Sequence, residues 1–323
     1  ISHSLIGIVL AYNGFGFESL AWASVGSALT TLIVGVINKP NESEFRPSFK
    51  EFKRIFSFGA FSSTSSLISE IGLNAPDLTI SHNLGFSFLG YYSRAIGLVS
   101  IFNYTVSAAI NPVILPTFSK YLRDNQPLKA PYLTAVSYMS VIAWTFFLFL
   151  AVMAFPITRV LYGDQWDDSI PAAQILCFAF MFQAVFSFAE SAMISLGMIK
   201  LNLIIQIALQ LPRLILTIIA SLYSIEHVAL VQVAFYIFSF ITYHFCLHKR
   251  INITMLDLLN NTYKSILIAI VSNGMTLIIL SYLDIENILL LVTLAIISCL
   301  SFFIMAIKAT QHPVYNELSK LRS

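Results

Sequence analysis

Five ionisable side chains interrupt long apolar stretches of this 323-residue chain: Glu70 in SSLISEIGL, Asp77 after Pro76, Arg94 in YYSRAIG, Glu190 in SFAESAM and Arg213 in LQLPRLIL. A charge at the centre of a membrane helix costs about 2.5–3.5 kcal/mol on insertion scales, so such residues face a polar cavity or a partner. A guanidinium fork matches phosphate oxygens and stays charged, which makes Arg94 and Arg213 candidates for holding a phosphate-bearing headgroup. The acids admit two readings. In a cavity of changing access, Glu70, Asp77 or Glu190 could exchange a proton or bind a coupling ion; equally, Glu70 or Glu190 could pair internally with Arg94 or Arg213 and fix helix packing. Pro212, beside Arg213, removes a helical hydrogen bond at the same turn, which marks a hinge or an ordinary membrane-helix kink.

Other chemistry is not encoded. There is no GxxxxGK[ST] phosphate loop, HExxH or GxSxG, so nucleotide hydrolysis by that loop and hydrolase chemistry by those motifs are excluded, and no cofactor is expected. His244 and His248 stand four apart, a spacing that could hold a metal, but no third ligand is near them in the sequence, and interfacial histidines are the expected reading. Cys177, Cys246 and Cys299 all sit in apolar runs and read as small core residues. The net charge of +2 is too balanced for a nucleic-acid partner. Most aromatic residues read as lipid-facing or interfacial, with Tyr91, Tyr92 and Trp166 the exceptions that could stack on a sugar.

The elements that must position these residues follow from composition. With 57% apolar and 11% charged residues and a mean hydropathy of +0.80, the chain has too few charges for a water-facing surface. A bilayer core takes about 20 apolar residues per helix, and about ten such segments are predicted, the first a stub: 1–11, 19–37, 55–75, 91–115, 133–155, 170–196, 201–223, 227–247, 265–283 and 288–307. The apolar runs do not alternate as barrel strands would, so the fold class is all-α and polytopic. Pro76 is expected to close the third segment, and Pro112 and Pro116 to break the inner end of the fourth.

Basic residues set the orientation. Lys39, Arg46, Lys50, Lys53 and Arg54 precede the third segment; Lys120, Arg123 and Lys129 follow the fourth; Lys200, Lys249, Arg250, Lys264, Lys308, Lys320 and Arg322 complete the set on the same side. The other loops carry Glu18, the group Asp164, Asp167 and Asp168 beside Arg159, Glu226, Asp284 and Glu286. The basic side, with the C-terminus, is therefore expected to be cytoplasmic. Residues 39–54 form a basic, proline-containing linker, and the opening at Ile1 suggests a chain that begins inside a membrane helix.

NLGFSFLGYYSRA (83–95), VILPTFSKYLRDN (113–125), LYGDQWDDSIP (161–171) and FSFGAFSS (56–63) resemble the Wzx-like polysaccharide and O-antigen flippases, the polysaccharide branch of the multidrug/oligosaccharidyl-lipid/polysaccharide exporter superfamily. The resemblance implies two six-helix lobes around a central cavity. Residues 1–38 would be the last two helices of the first lobe, 39–54 the cytoplasmic linker, 55–250 the C-terminal lobe, and 251–323 two additional helices and a tail. It also implies alternating-access transport, without enzymatic chemistry, of polyprenyl-diphosphate-linked oligosaccharide across a bacterial inner membrane. Partners would be that lipid, the membrane lipids and other polysaccharide assembly proteins. Only Arg94, the Arg of GYYSRA, carries over from the resemblance as a site residue; the other four rest on burial. A single lobe would not be expected to transport by itself. The alternatives are a cation-coupled multidrug exporter of the same superfamily and, from another class, a membrane polysaccharide polymerase or acyltransferase.

Overall fold

The computed structural model describes residues 2–16, 18–37, 52–283 and 285–315, without the side chains of Arg54, Ile55 and Phe58. Lys39, Arg46, Lys50, Asp284, Lys320 and Arg322, which carry part of the orientation argument, and most of the linker lie outside the described residues. The described elements are all helical: α1 Ser2–Tyr12, α2 Glu18–Ile37, α3 Phe52–Asn83, α4 Phe86–Phe102, α5 Ala108–Arg123, α6 Lys129–Val152, α7 Ala154–Tyr162, α8 Ile170–Phe186, α9 Ala189–Ser195, α10 Ile199–Ala220, α11 Ile225–Ile251, α12 Met255–Tyr282 and α13 Ile288–Thr310.

The chain forms two compact units, residues 1–55 and 56–323. In the first, α1 and α2 make a hairpin in which Ser2 Oγ meets Ser27 Oγ at 3.4 Å and Gly26 lies against Ile6. In the second, α8 is the central helix, packed against α4, α6 and α11. Its buried face, Ala172, Ala173, Leu176, Cys177, Ala179, Phe180 and Ala184, is mostly small, which lets neighbouring backbones approach where no hydrophobic drive separates protein from lipid. Phe102, Phe147, Phe180 and Tyr236 fill the gaps as a chain of ring contacts, with successive centroids 4.9, 5.7 and 5.4 Å apart. α12 lies along α6, and α13 along α12. Large apolar side chains such as Ile215, Leu222, Phe238, Leu267, Leu300 and Ile304 stay exposed, a surface suited to acyl chains.

Eight helical runs among the described residues are long and apolar enough to cross a membrane, against about ten expected. The difference is the stub α1, which has 11 residues, and α3, which has length to spare at 32 residues but carries Lys53, Glu70, Asn74, Asp77, His82 and Asn83. α3 also corrects the expectation that Pro76 ends it, for it continues to Asn83. The proline deprives only the carbonyl of Gly72, four residues back, of its donor. Pro112 and Pro116 likewise lie inside α5 without ending it; the fourth segment is instead relaxed by a π-helical turn, Asn103–Ser107, between α4 and α5. The sixth segment is broken, with α8 ending at Phe186 and α9 starting at Ala189.

After α13 the chain folds back and lodges His312, fully buried, between α6 and α12. The N–H of Val314 donates to Nδ1 (3.3 Å), which leaves the ring proton on Nε2, facing Ser137 Oγ at 3.1 Å and Ser265 Oγ at 3.2 Å. Ser137 Oγ is already committed as a donor to the Asn261 carbonyl (2.9 Å), so it accepts from the ring. Burial, with the ammonium of Lys264 a smaller contributor, pushes the His312 pKa down from 6.5 to about 4. A group that binds its proton less readily when folded gives stability that is fully present above pH 6.5 and is lost as pH falls toward 4. We expect acidification across that window to cost the solubilised protein on the order of 3 kcal/mol. Thermal unfolding at stepped pH checks this, and His312→Gln should flatten that part of the profile.

Candidate functional site

α10 carries the site. Its otherwise apolar sequence places Asn202, Gln206, Gln210, Arg213 and Thr217 three or four residues apart, which stacks them on one helix face, and all five are buried. α11 answers with Gln232, Tyr236, Ser239 and Tyr243 at the same helical spacing, also buried. Two polar stripes therefore face one another inside a bundle whose exterior is apolar, and each polar atom needs a partner from the other stripe.

Arg213 is the centre of this arrangement, only 5% exposed. Its Nε donates to Gln232 Oε1 at 3.0 Å, its Nη2 donates to the same oxygen, and its Nη1 donates to Gln210 Oε1 at 3.1 Å. The guanidinium also lies over the Phe235 ring, 4.2 Å from the centroid. Of its five N–H donors, three are used here. Among the described residues no carboxylate lies within ion-pair distance of Arg213; the ion pairs found there are Lys129–Asp257 at 2.7 Å and Arg159–Asp167 at 2.6 Å, both on other helices. Internal pairing of Arg213 with Glu70 or Glu190 is thus not how its charge is accommodated.

From Arg213 the hydrogen bonds continue along α10. Gln210 Nε2 donates to Gln206 Oε1 at 3.5 Å, Gln206 Nε2 to the Tyr243 hydroxyl at 3.0 Å, and that hydroxyl to Asn202 Oδ1 at 3.1 Å. Asn202 Nδ2 then donates to Glu190 Oε1 at 2.9 Å and to Ser65 Oγ of α3 at 3.4 Å. The chain runs beside a cavity of about 230 Å³ lined by Glu190, Gln206, Gln210, Arg213, Ser239 and Tyr243, among others. Irregular backbone opens it: the π turn brings Asn103 and Ser107, and the break between α8 and α9 brings Ser187 and, one turn on, Glu190. Non-helical backbone at membrane depth is tolerated where it lines such a polar space. The volume falls below the roughly 300–1,000 Å³ of pockets that enclose drug-sized ligands, so it matches the charged part of a headgroup rather than an oligosaccharide.

The expected site residues are therefore separated. Arg213 and Glu190 line the cavity. Glu70 is exposed on α3, within 3.4 Å of Asn74 Nδ2, and Asp77, directly after Pro76, is exposed too. Arg94 is exposed and lies outside the cavity, with its guanidinium 4.7 Å from the Trp166 ring and 5.1 Å from the Tyr162 ring. Tyr91 meets Trp166 edge-on at 5.9 Å, whereas Tyr92 is buried in the core. Pro212 sits on the exposed side of an unbroken α10, leaving the Ala208 carbonyl without its helical donor. His244 and His248 stack at 6.3 Å, and no group of three or more possible metal ligands occurs among the described residues. The residues that sequence reading missed are Asn202, Gln206, Gln210, Gln232 and Tyr243. Their signal was the helical period of uncharged polar residues, which a search for charges passes over.

These features define a polytopic helical membrane protein. The structure matches that of the lipid II flippase MurJ in its inward closed conformation, with a TM-score of 0.63 and 16% identity, over 96% of this chain and 66% of that one. The chain belongs to the polysaccharide biosynthesis protein family, whose profile matches residues 1–171, a stretch that includes Arg94 and ends before Glu190 and Arg213. The succinoglycan biosynthesis transport protein ExoT of Rhizobium meliloti (strain 1021) is 29% identical over 185 residues, 54% of this chain and 36% of the relative. The lipopolysaccharide biosynthesis protein WzxC of Escherichia coli (strain K12) is 25% identical over 165 residues, 50% of this chain and 33% of the relative. A putative O-antigen transporter of Shigella flexneri is 23% identical over 169 residues, 52% and 40% respectively. The matches thus span about a third of the length of these curated relatives.

The approach of α3 to this network depends on Gly72. A Cβ there would overlap Gln210 Oε1 and come within 2.7 Å of its Cδ and 3.3 Å of Arg213 Nη1. Gly72→Ala is expected to push Gln210 off Arg213 and to destabilise the solubilised protein by roughly 1–3 kcal/mol, read as a lowered midpoint in thermal unfolding.

Proposed function

We propose that this chain is part of a flippase that carries a polyprenyl-diphosphate-linked oligosaccharide across a bacterial inner membrane for surface polysaccharide assembly, and that Arg213 holds the diphosphate. One observation carries the reading: a buried guanidinium lines a cavity and its direct hydrogen-bond acceptors are neutral glutamine oxygens, so its positive charge remains available to an anion. Relatives named as polysaccharide and O-antigen transport proteins supply the substrate class. The fold of a lipid flippase supplies the architecture.

In this reading residues 55–250 are the C-terminal six-helix lobe, 1–38 the end of the preceding lobe, 39–54 the cytoplasmic linker and 251–323 the added helices and tail, with the C-terminus cytoplasmic. Arg94, displayed on the rings of Tyr162 and Trp166, meets the headgroup outside the chamber, and Pro212 is the hinge that lets α10 bend as access alternates. Glu190, the acid of the three candidates that lines the cavity, is the coupling group; Glu70 and Asp77, exposed on α3, are secondary candidates. The partners are the lipid-linked oligosaccharide, membrane lipids and polysaccharide assembly proteins, and the transport step needs no enzymatic chemistry or cofactor.

Arg213→Ala in the native cells should lower surface polysaccharide at least about tenfold, the scale of a lost charged hydrogen bond. Membrane insertion, followed by immunoblot of the membrane fraction, should be unchanged, and Arg213→Lys should retain part of the activity. Wild-type polymer in the correctly inserted Arg213→Ala protein would overturn the assignment.

A further inference from the structure

The hydrogen bonds between Arg213 and Glu190 all point the same way. Each link donates toward Glu190: Arg213 to Gln210, Gln210 to Gln206, Gln206 to Tyr243, Tyr243 to Asn202, and Asn202 to Glu190. Resting on the reading of Arg213 as an anion site, we propose that Gln210, Gln206, Tyr243 and Asn202 form a directional relay that links anion occupancy at Arg213 to proton uptake at Glu190.

The direction is dictated by the two ends. Arginine can only donate, so while Nη1 engages Gln210, that amide must turn its oxygen to Arg213 and its NH2 group to Gln206. The same constraint passes along the chain, until Asn202 reaches Glu190 as a donor. A donor serves an ionised carboxylate about twice as well as a neutral acceptor, and aligned hydrogen bonds polarise one another, so the engaged arginine keeps a donor turned toward Glu190.

An anion that draws the Arg213 N–H groups to itself removes the fixed end. Gln210 can then turn over. In the reversed chain, protonated Glu190 donates to Asn202 Oδ1, Asn202 to the Tyr243 oxygen, Tyr243 to Gln206 Oε1, and Gln206 to Gln210 Oε1; Gln210 Nε2 is left to donate to the anion. The reversal needs three amide turns, one hydroxyl rotation and one solvent proton added to Glu190, and no other covalent bond changes. It gives the anion an additional donor, so anion and proton bind with positive coupling. The 3.5 Å link between Gln210 and Gln206 is the loosest in the chain and the natural point for turning to begin. Ser239 Oγ, 1% exposed and lining the same cavity, has no hydrogen-bond partner and is available to the incoming ligand.

The other groups brought to the cavity are neutral or belong to the relay. On α11 the titratable groups lining the cavity are Tyr243, itself a relay member, and Tyr236. α5 brings Asn111, α8 brings Gln183 and α3 brings Ser69 to the cavity, all neutral, with Ser187 at the α8–α9 break. On α10 the cation closest in sequence to Asn202, Lys200, turns its ammonium to the Phe61 ring at 5.4 Å.

Inorganic pyrophosphate binding to the purified chain, measured by calorimetry in buffers of different ionisation enthalpy, tests the relay. Wild type should take up about one proton per bound anion beyond the uptake shown by Glu190→Gln, a comparison that removes the probe's own titration. Tyr243→Phe keeps the ring that stacks on Phe186 at 5.9 Å and breaks the relay between its two ends; at saturating pyrophosphate it should lose the extra proton. Gln206→Leu should do the same and guards against a Tyr243 variant that fails to fold. Binding without extra proton uptake in wild type, or uptake that survives in both variants, would overturn the relay and leave Arg213 as an anion site. Failure of wild type to bind pyrophosphate would overturn both.

Discussion

The structure turns on a guanidinium held at membrane depth with no carboxylate within ion-pair distance among the described residues. Burying a charge in a medium of low dielectric constant is among the most costly operations a fold can perform, and an acid partner is the common remedy. Here the remedy is neutral. Two glutamine oxygens and a phenyl face hold Arg213 through three of its five donors, and its charge is not cancelled. Such a group is stable when the cavity is empty and still attractive to an anion. A salt bridge would have given the first property at the expense of the second.

That choice propagates outward. Glutamine and asparagine each bring a donor with their acceptor, so every oxygen turned toward Arg213 leaves an NH2 group that must be satisfied further along. The chain through Gln206, Tyr243 and Asn202 disposes of the Gln210 donors in turn and ends on a Glu190 oxygen, whereas the Gln232 NH2 group is buried without a partner. Cation and acid are thus joined through a line of dipoles rather than in contact. The close approach of α3 at Gly72 is part of the same arrangement, because the space a side chain would take is filled by Gln210. The π turn and the α8–α9 break are tolerated because they open onto this polar interior, where freed backbone groups need not face lipid.

The outer surface obeys the opposite rule. Arg94 and Arg159 are more exposed than Arg213 and sit on aromatic rings, Arg159 also pairing with Asp167. An arginine stacked at an interface keeps part of its hydration and needs no buried network. Two arginines in apolar sequence therefore came to different ends: one ties helices to a loop at the surface, the other organises a cavity.

Composition and hydropathy by themselves determined that the chain is helical and crosses a membrane repeatedly, because a backbone in hydrocarbon has few ways to satisfy its own hydrogen bonds and a helix is the local one. They also marked Arg213 and Glu190, since the cost of a charge in an apolar segment does not depend on its neighbours. The fate of each charge was not legible. Glu70 looks as deep as Glu190 in sequence, yet the first is exposed and the second lines the cavity. Pro76 and Pro112 read as helix ends, but each removes only one hydrogen bond from a helix whose remaining bonds and packing hold it together. Which polar residues form a network depends on the rotation of α10 against α11 and on their distance to α3. Those quantities are fixed by packing among residues far apart in the chain, and only the tertiary structure decides them.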